Sequence, residues 1–398
     1  MPAVTTWTVK HYNLAGNLVA ELDEIADRQM TLAMNGLDSF SGTLYLDDPD
    51  AAAIQRLHSI IKVWRNVSDP ANGKSYTAPA DRPDFAGVVT YSNKDGISNQ
   101  MQFKAFSPFW RLQCRFHLLN HYLVNNPSTG LPWKQSALMW KLIDLINNAF
   151  GVTSKTGIVQ GTLSSATDVA VSPYFVMKGS NTWQHVFETI MDRASSPDIV
   201  PVYLHTDGSP DLVQFGTSLK RGSDVSASTL FQYSTGLDNC LNMSEEEQII
   251  PDTFANYLWL VGQGGPNKYP ALSTPPRQED PAATGDGYGN IGIYMGRRDY
   301  ENTKDIGLLN NMATHEFNRA KKAQRIYTVQ LAPLWPPYYK TDFVLGDVVR
   351  LDADKGALVL SNVKQRIYEI ALQMSMNNVE TAQVALASDF DGKVAVTA

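Results

Sequence analysis

Cysteine is scarce in this chain: Cys114 and Cys240 are the two in 398 residues, far apart and outside any C-x-x-C spacing. That pattern indicates neither a zinc ribbon nor a redox pair. No stretch approaches the ~20 consecutive apolar residues that span a bilayer, and the start, Met1 to Trp7, lacks a basic region followed by an apolar one. The expectation is synthesis and folding in a cytosol, with no membrane anchor. Charged residues make up only 18%, on the low side for a folded soluble chain, which fits a surface partly buried against other chains. Asp and Glu number 40 against 33 Lys and Arg, a net charge of -7. This balance argues against free-standing nucleic-acid binding, which needs clustered cations to neutralise phosphate.

Catalytic signatures are missing as well. There is no G-x-S-x-G elbow and no P-loop, and the near misses fail at identifiable positions. Cys114, His117 and His121 have metal-like spacing and could share a face of a helix. No fourth ligand is evident, however, and Phe116, Leu118 and Leu119 adjoin them, so a packed or interfacial cluster is the better reading. His315-Glu316 opens like H-E-x-x-H, yet Arg319 stands where the second His belongs. The turn-like Asp352-Ala353-Asp354-Lys355-Gly356 has its glycine at the fifth place instead of the sixth, and Val363 where a calcium loop needs Glu. A hairpin turn with Gly356 at positive φ is expected instead. Three adjacent acids, Glu245-Glu246-Glu247, cannot converge on a point in regular structure and read as a solvated turn. Gly262-x-Gly264 lacks the third glycine of a dinucleotide fingerprint, with Asn267 in its place. No catalytic, cofactor-binding or metal-binding residue is assigned, no cofactor is expected, and the chain reads as a non-enzyme.

What the sequence does contain is patterned β-structure around a different middle. Two segments run apolar residues past a glycine into a strand: Asp84 to Val89, opening a hairpin that turns at Lys94-Asp95-Gly96, and Asp342 to Val349. Residues 1–113 read as mainly β, with strands at 7–10, 17–22, 42–46, 60–64 and, by clear alternation, 100–105. A short helix is expected at 50–58, capped by Asp48 or Asp50. Residues 114–250 form an α+β middle module. Leu138, Leu142, Leu145, Ile146, Ala149 and Phe150 predict a helix capped by Ser136 and closed by Gly151. A second helix is expected at 182–194, with short strands at 199–204 and 211–215. In 251–398 a strand at 257–261 leads to a loop near 264–290, a helix near 304–324 and further strands, among which Tyr368, Ile370, Leu372 and Met374 share a face. With 398 residues several domains are expected, and the fold class is α+β, mainly β, with two β-barrel-like terminal domains flanking the middle module.

Taken in order, several of these segments resemble one family. They are Arg28 to Leu46 with Asn35-Gly36 and Phe40-Ser41-Gly42-Thr43-Leu44, the turn Asp47-Asp48-Pro49-Asp50-Ala51, and Phe85-Ala86-Gly87-Val88. Gly262-Gln263-Gly264-Gly265, Arg297-Arg298-Asp299-Tyr300 and Phe343 to Val348 follow. The series is similar to the baseplate hub family, the hub-type minor tail proteins of long-tailed, siphovirus-like bacteriophages. The likeness covers most of the chain as an order of elements. It implies a homotrimeric ring at the virion tail tip, in which two barrel-like domains per subunit continue the sixfold tail tube and the middle module lies below or outside. Implied partners are a distal tail protein ring, the tape measure protein and further tail-tip or fibre proteins. DNA would pass during ejection without specific binding, helped by a negative lumen. Two other readings stay open: a distal tail ring protein of six subunits, and a carbohydrate-binding adhesion module suggested by 8 Trp and 17 Tyr. A wall hydrolase ranks last.

Overall fold

The computed structural model describes residues 3–119, 121–149, 156–164, 174–176, 178–183, 186, 197–234, 238–248, 254–262, 277–278, 293–300, 310, 313, 317, 324–375 and 377–387. The chain is mainly β. Its first region holds strands β1 (Val4–Asn13), β2 (Leu18–Glu21), β3 (Ala26–Ala33) and β4 (Ser39–Tyr45), the short helix α1 (Pro49–Ala53), then β5 (Ser59–Asp69), β6 (Lys74–Thr77), β7 (Phe85–Asp95) and β8 (Gln100–Phe106). The middle contains α2 (Trp110–Gln113), β9 (His121–Leu123), α3 (Gln135–Ala149), β10 (Ile158–Gln160), β11 (Tyr174–Val176), β12 (Asp198–Tyr203), β13 (Val213–Ser218), β14 (Leu230–Ser234) and β15 (Cys240–Gln248). The last region holds β16 (Tyr257–Gly262), β17 (Arg277–Gln278), β18 (Met295–Tyr300), β19 (Gln324–Leu331), β20 (Val348–Lys355), β21 (Leu358–Met374) and β22 (Glu380–Ala387).

Period-two patterning explains most of these strands. In β8, Met101, Phe103 and Ala105 are buried while Gln102 and Lys104 are exposed, as an antiparallel strand with one wet face requires. β5 breaks the pattern because both its faces are covered. Ile61 and Val63 enter the main core, while Ile60 and Trp64 join a second cluster with Tyr12, Val88 and Leu212. Turns follow local chemistry: Asn13 Oδ1 accepts from the N–H groups of Ala15 and Asn17 at 3.0 Å each, closing the β1–β2 hairpin.

The main sheet has 14 strands in the path β15-β19-β22-β21-β3-β4-β8-β7-β5-β1-β2, with β6 on β5 and with β20 joining β14 to β21. β3 and β21, from opposite ends of the chain, pair antiparallel with Leu32 opposite Ile370 and Met30 opposite Leu372. The two terminal regions therefore join at this seam within one chain. The sheet also curls. β22 and β5 are separated in the path by five strands, which in a flat sheet would put them about 30 Å apart at about 5 Å per step. Yet Arg65 of β5 and Glu380 of β22 are in contact at 2.5 Å. One core cluster accordingly runs from Trp7 to Leu386. A small separate cluster joins Ala255, Leu258 and Leu260 to Ala313 and Phe317 beside the three-stranded sheet β17-β16-β18.

Several local expectations are corrected. The helix expected at 50–58 ends at Ala53: Asp48 caps it by accepting from Asp50 N at 2.8 Å, but Ile54 is extended and Leu57 donates its N–H to Val89 O at 2.7 Å, drawing the chain back to the sheet. The β7–β8 turn lies at 96–99, where Asp95 accepts from Ile97 N and Ser98 Oγ, beyond the Lys94-Asp95-Gly96 expected. Ser136 sits inside α3 and accepts from Thr217 Oγ1 at 2.9 Å, so it anchors the helix to β13 and does not cap it. Glu245 to Glu247 lie on strand β15, held by pairing with β19. Gly356 does turn the β20–β21 hairpin at φ +65°. Phe150, Gly151, most of 182–194, nearly all of the 264–290 tract and most of 304–324 lie outside the described residues; 310, 313 and 317 are helical, and Gln324 already belongs to β19.

The run ending in Leu345-Gly346-Asp347 turns before β20 instead of entering it directly. Gly346 has φ +95°, and a Cβ there would lie 2.5 Å from Arg221 O. The facing Gly222 has φ +83° and packs just as tightly on Gly346. Asp347 then accepts from Ser223 N at 2.6 Å and Val344 N at 2.7 Å. Gly346→Ala meets both backbone strain and a backbone clash, and should lower unfolding stability by about 2–3 kcal/mol in a chemical denaturation experiment. An unchanged midpoint would show that this loop junction is slack.

Candidate functional site

The most organised polar feature is a buried ionic seam inside the curled sheet. Arg65, on strand β5, donates from Nη2 to Glu380 Oε1 at 2.5 Å and from Nε to Glu380 Oε2 at 2.7 Å. Its Nη1 reaches Tyr339 O at 2.9 Å, and Trp7 Nε1 donates to Glu380 Oε2 at 2.7 Å. The side chains of Arg65 and Glu380 are 1% and 8% exposed, so the bidentate geometry is what offsets their desolvation. Asp84 extends the seam, accepting from Arg65 N at 3.0 Å and Tyr76 OH at 2.7 Å, with Lys340 Nζ at 3.7 Å. Burial raises the Asp84 carboxyl above its ordinary pKa, with Lys340 and Tyr76 opposing that rise.

A second seam fastens the middle of the chain. Asp198 at the start of β12 accepts from Arg366 Nη2 at 2.5 Å and Arg221 N at 2.7 Å through one oxygen, and from Asn35 Nδ2 at 3.1 Å through the other. Arg366 also donates to Gly346 O and Arg221 O. Nearby Asp38, whose carboxyl is raised by complete burial, accepts from Tyr203 OH and from Ala33 N. A cleft of about 300 Å³ opens between these seams, with Arg221 and Lys340 among its walls.

A third buried polar group lies on the outer face of β5. Lys62 is fully buried, its Nζ 3.3 Å from His205 Nδ1 and 5.0 Å from the centre of the Tyr12 ring. His205 Nε2 in turn approaches Asp207 at 3.4 Å. Burial lowers the Lys62 ammonium to about 8, against a smaller opposing pull from Asp207.

The residues considered from sequence do not assemble a reaction centre. Cys114 is exposed at the end of α2, His117 is buried, and His121 lies on β9; only the two imidazoles come together, 5.7 Å between centroids. Among the described residues no group of three His, Cys, Asp or Glu is placed to hold a metal ion. His315-Glu316 lies outside the described residues, and Gly262 ends β16. Among those residues, too, no helix is long and apolar enough to cross a membrane. Arg65, Glu380, Asp198 and Arg366 escaped the sequence reading, although a lone arginine inside the run from Ile60 to Val67 was a visible signal of a buried pair.

Among the described residues, the strands at the ends of the main sheet each leave one edge unpaired. β2 and β15 end the sheet path. Leu18 and Val19 are exposed on β2, and Leu241 on β15. The acids of β15 are answered from β19, Tyr327 OH donating to Glu245 at 3.0 Å and Arg325 to Glu247 at 3.3 Å. Charges on an edge strand block indiscriminate pairing without preventing a matched partner.

No protein-family model matches the sequence, and a search of curated proteins finds no match. Solved structures do match across nearly the whole chain. A tail protein from Neisseria meningitidis MC58 aligns with a TM-score of 0.61 at 11% identity, covering 96% of this chain and 97% of that one. The prophage tail protein gp18 from Listeria monocytogenes EGD-e gives 0.55 at 9% identity, covering 96% and 94%. The 43 kDa tail protein of prophage MuSo2 from Shewanella oneidensis gives 0.53 at 11% identity, covering 96% and 98%. The chain thus has the fold of phage tail proteins.

Two consequences of the buried charges are measurable. Arg65→Met strands Glu380 in the interior and should lower stability by about 3–5 kcal/mol, whereas Arg65→Met combined with Glu380→Leu should recover most of it. Lys62 binds its proton less tightly in the folded chain than in the unfolded one. Folding stability should therefore rise with pH between about 8.5 and 10, by up to about 1.4 kcal/mol per pH unit. Lys62→Met should lack this rise in denaturation midpoints measured across that window.

Proposed function

We propose that this chain is a structural, non-enzymatic subunit of a phage tail tip, a baseplate hub protein whose copies form a ring that closes or extends the tail tube. The observation that carries the reading is the fold shared with three tail proteins over 96% of the chain. The sheet curled around one core and its open edges at β2 and β15 add physical support, because a curled sheet makes a segment of tube wall and open edges are completed by neighbours. Three copies form the ring. Residues 1–113 and 251–398 supply its barrel-like parts, and 114–250 sits below or outside it. The distal tail protein ring, the tape measure protein and fibre or other tail-tip proteins are its partners in the virion, and DNA passes the lumen without specific binding.

Mass photometry and negative-stain imaging of the purified chain test this. A threefold ring with a central hole is the expected result. Six subunits would instead make it a distal tail ring, and a chain that stays single at every concentration would sink the ring altogether. Retention on host cell wall without ring formation would favour the adhesion reading.

A further inference from the structure

Two exposed surfaces of this chain are complementary in both charge and apolar character. The first is the arm after α2. Phe116, Leu118, Leu119, Tyr122, Val124 and Leu131 are all exposed on it. The arm is nevertheless pinned in shape: His117 donates its N–H to Ser180 O at 3.0 Å and accepts from Gly179 N at 2.7 Å, β9 pairs with β11, and Asn126 N donates to Leu131 O at 2.8 Å. Lys134 and Lys178 are exposed beside it, Arg115 is half-buried, and no Asp or Glu occurs from 96 to 143. An ordered apolar patch of this kind marks a binding surface.

The second surface is a cleft of about 510 Å³ at the open β2 edge, lined by Glu21, Asp23, Glu24, Asp47, Asp48 and Asp50 with Tyr45. Leu18 and Val19 stand exposed on the same strand. Only part of this charge is answered internally: Glu21 meets Lys10 at 3.1 Å, Asp47 accepts from Asn99 Nδ2 at 3.4 Å, and Asp48 is engaged as the cap of α1. Burial raises the Asp50 carboxyl, and the neighbouring Asp48 and Asp23 add to it.

We propose that the cationic apolar arm of one copy docks on the acidic cleft and exposed β2 edge of a second copy, head to tail. This rests on the ring reading above and names the surfaces that close the ring. Arm-to-arm or cleft-to-cleft contacts would place like charges together, whereas arm-to-cleft pairing satisfies both surfaces; arranged head to tail, such heterologous contacts close into rings when the rotation allows.

Charge reversal tests it by mass photometry of the full chain. Asp23→Lys with Asp47→Lys, and separately Lys134→Glu with Lys178→Glu, should each weaken self-association by at least about tenfold. All four substitutions together should restore it. Assembly of either pair like the unaltered chain, or a fourfold variant as dispersed as the pairs, overturns the proposal while leaving the ring reading standing. An unaltered chain that never assembles overturns both. Independently of any variant, carbodiimide cross-linking of mixed isotope-labelled and unlabelled chains should join Lys134 or Lys178 to the cleft acids between copies; interchain links found only elsewhere would refute the contact.

Discussion

The bidentate contact of Arg65 with Glu380 is the constraint on which the architecture turns. Five strands separate β5 from β22 along the sheet, so their side chains meet only if the sheet curls around its own core. The contact then acts as a register device. Trp7 from β1 donates to the same carboxylate, and Tyr339 closes the remaining guanidinium position through its carbonyl. A slip of one residue anywhere between β22 and β5 would turn inward-facing side chains outward and leave two desolvated charges without partners. Hydrophobic burial supplies the driving force; the ion pair selects one curled arrangement among the many that bury similar area.

The same logic extends to the middle of the chain. Its strands β12 and β13 do not join the main sheet, and the module is fastened by Asp198 gripping Arg366 and the Arg221 backbone while the Gly222 and Gly346 turns lie against each other. On its other side His205 donates its N–H to Asp81 O, and Leu212 packs under Trp64. Polar points and apolar packing hold β12 and β13 beside the main sheet, β14 and β15 extend that sheet through β20 and β19, and the arm around β9 keeps its apolar residues exposed.

Much of the β-structure was legible because a half-buried strand writes its burial into alternation: β8 and the stretch of β21 from Ile370 to Met374 could be read directly, whereas the register shift at Tyr368 could not. β5 hid its two-faced environment, since an apolar run cannot reveal what covers each side. The helix at 50–58 was overestimated because Leu57 hydrogen-bonds to Val89, a long-range contact no local pattern encodes. Ser136 looked like a cap and proved to be a packing anchor for the same reason. The seams were illegible as pairs, because Arg65 and Glu380 are joined only by topology.

Charge distribution links the interior to assembly. Arg65, Lys62, Arg366, Asp84, Asp38 and Asp198 are buried, so a chain already modest in charge at 18% spends part of it internally, where ion pairs confer specificity more than stability. The charge left outside is segregated: acids crowd the β2 edge, and none occurs across the arm from 96 to 143. In a lone molecule such separation leaves like charges crowded on one surface and apolar side chains in water on another. Both disadvantages vanish when unlike surfaces meet, so the uneven exterior and the unpaired sheet edges bear on the same physical question of what covers them.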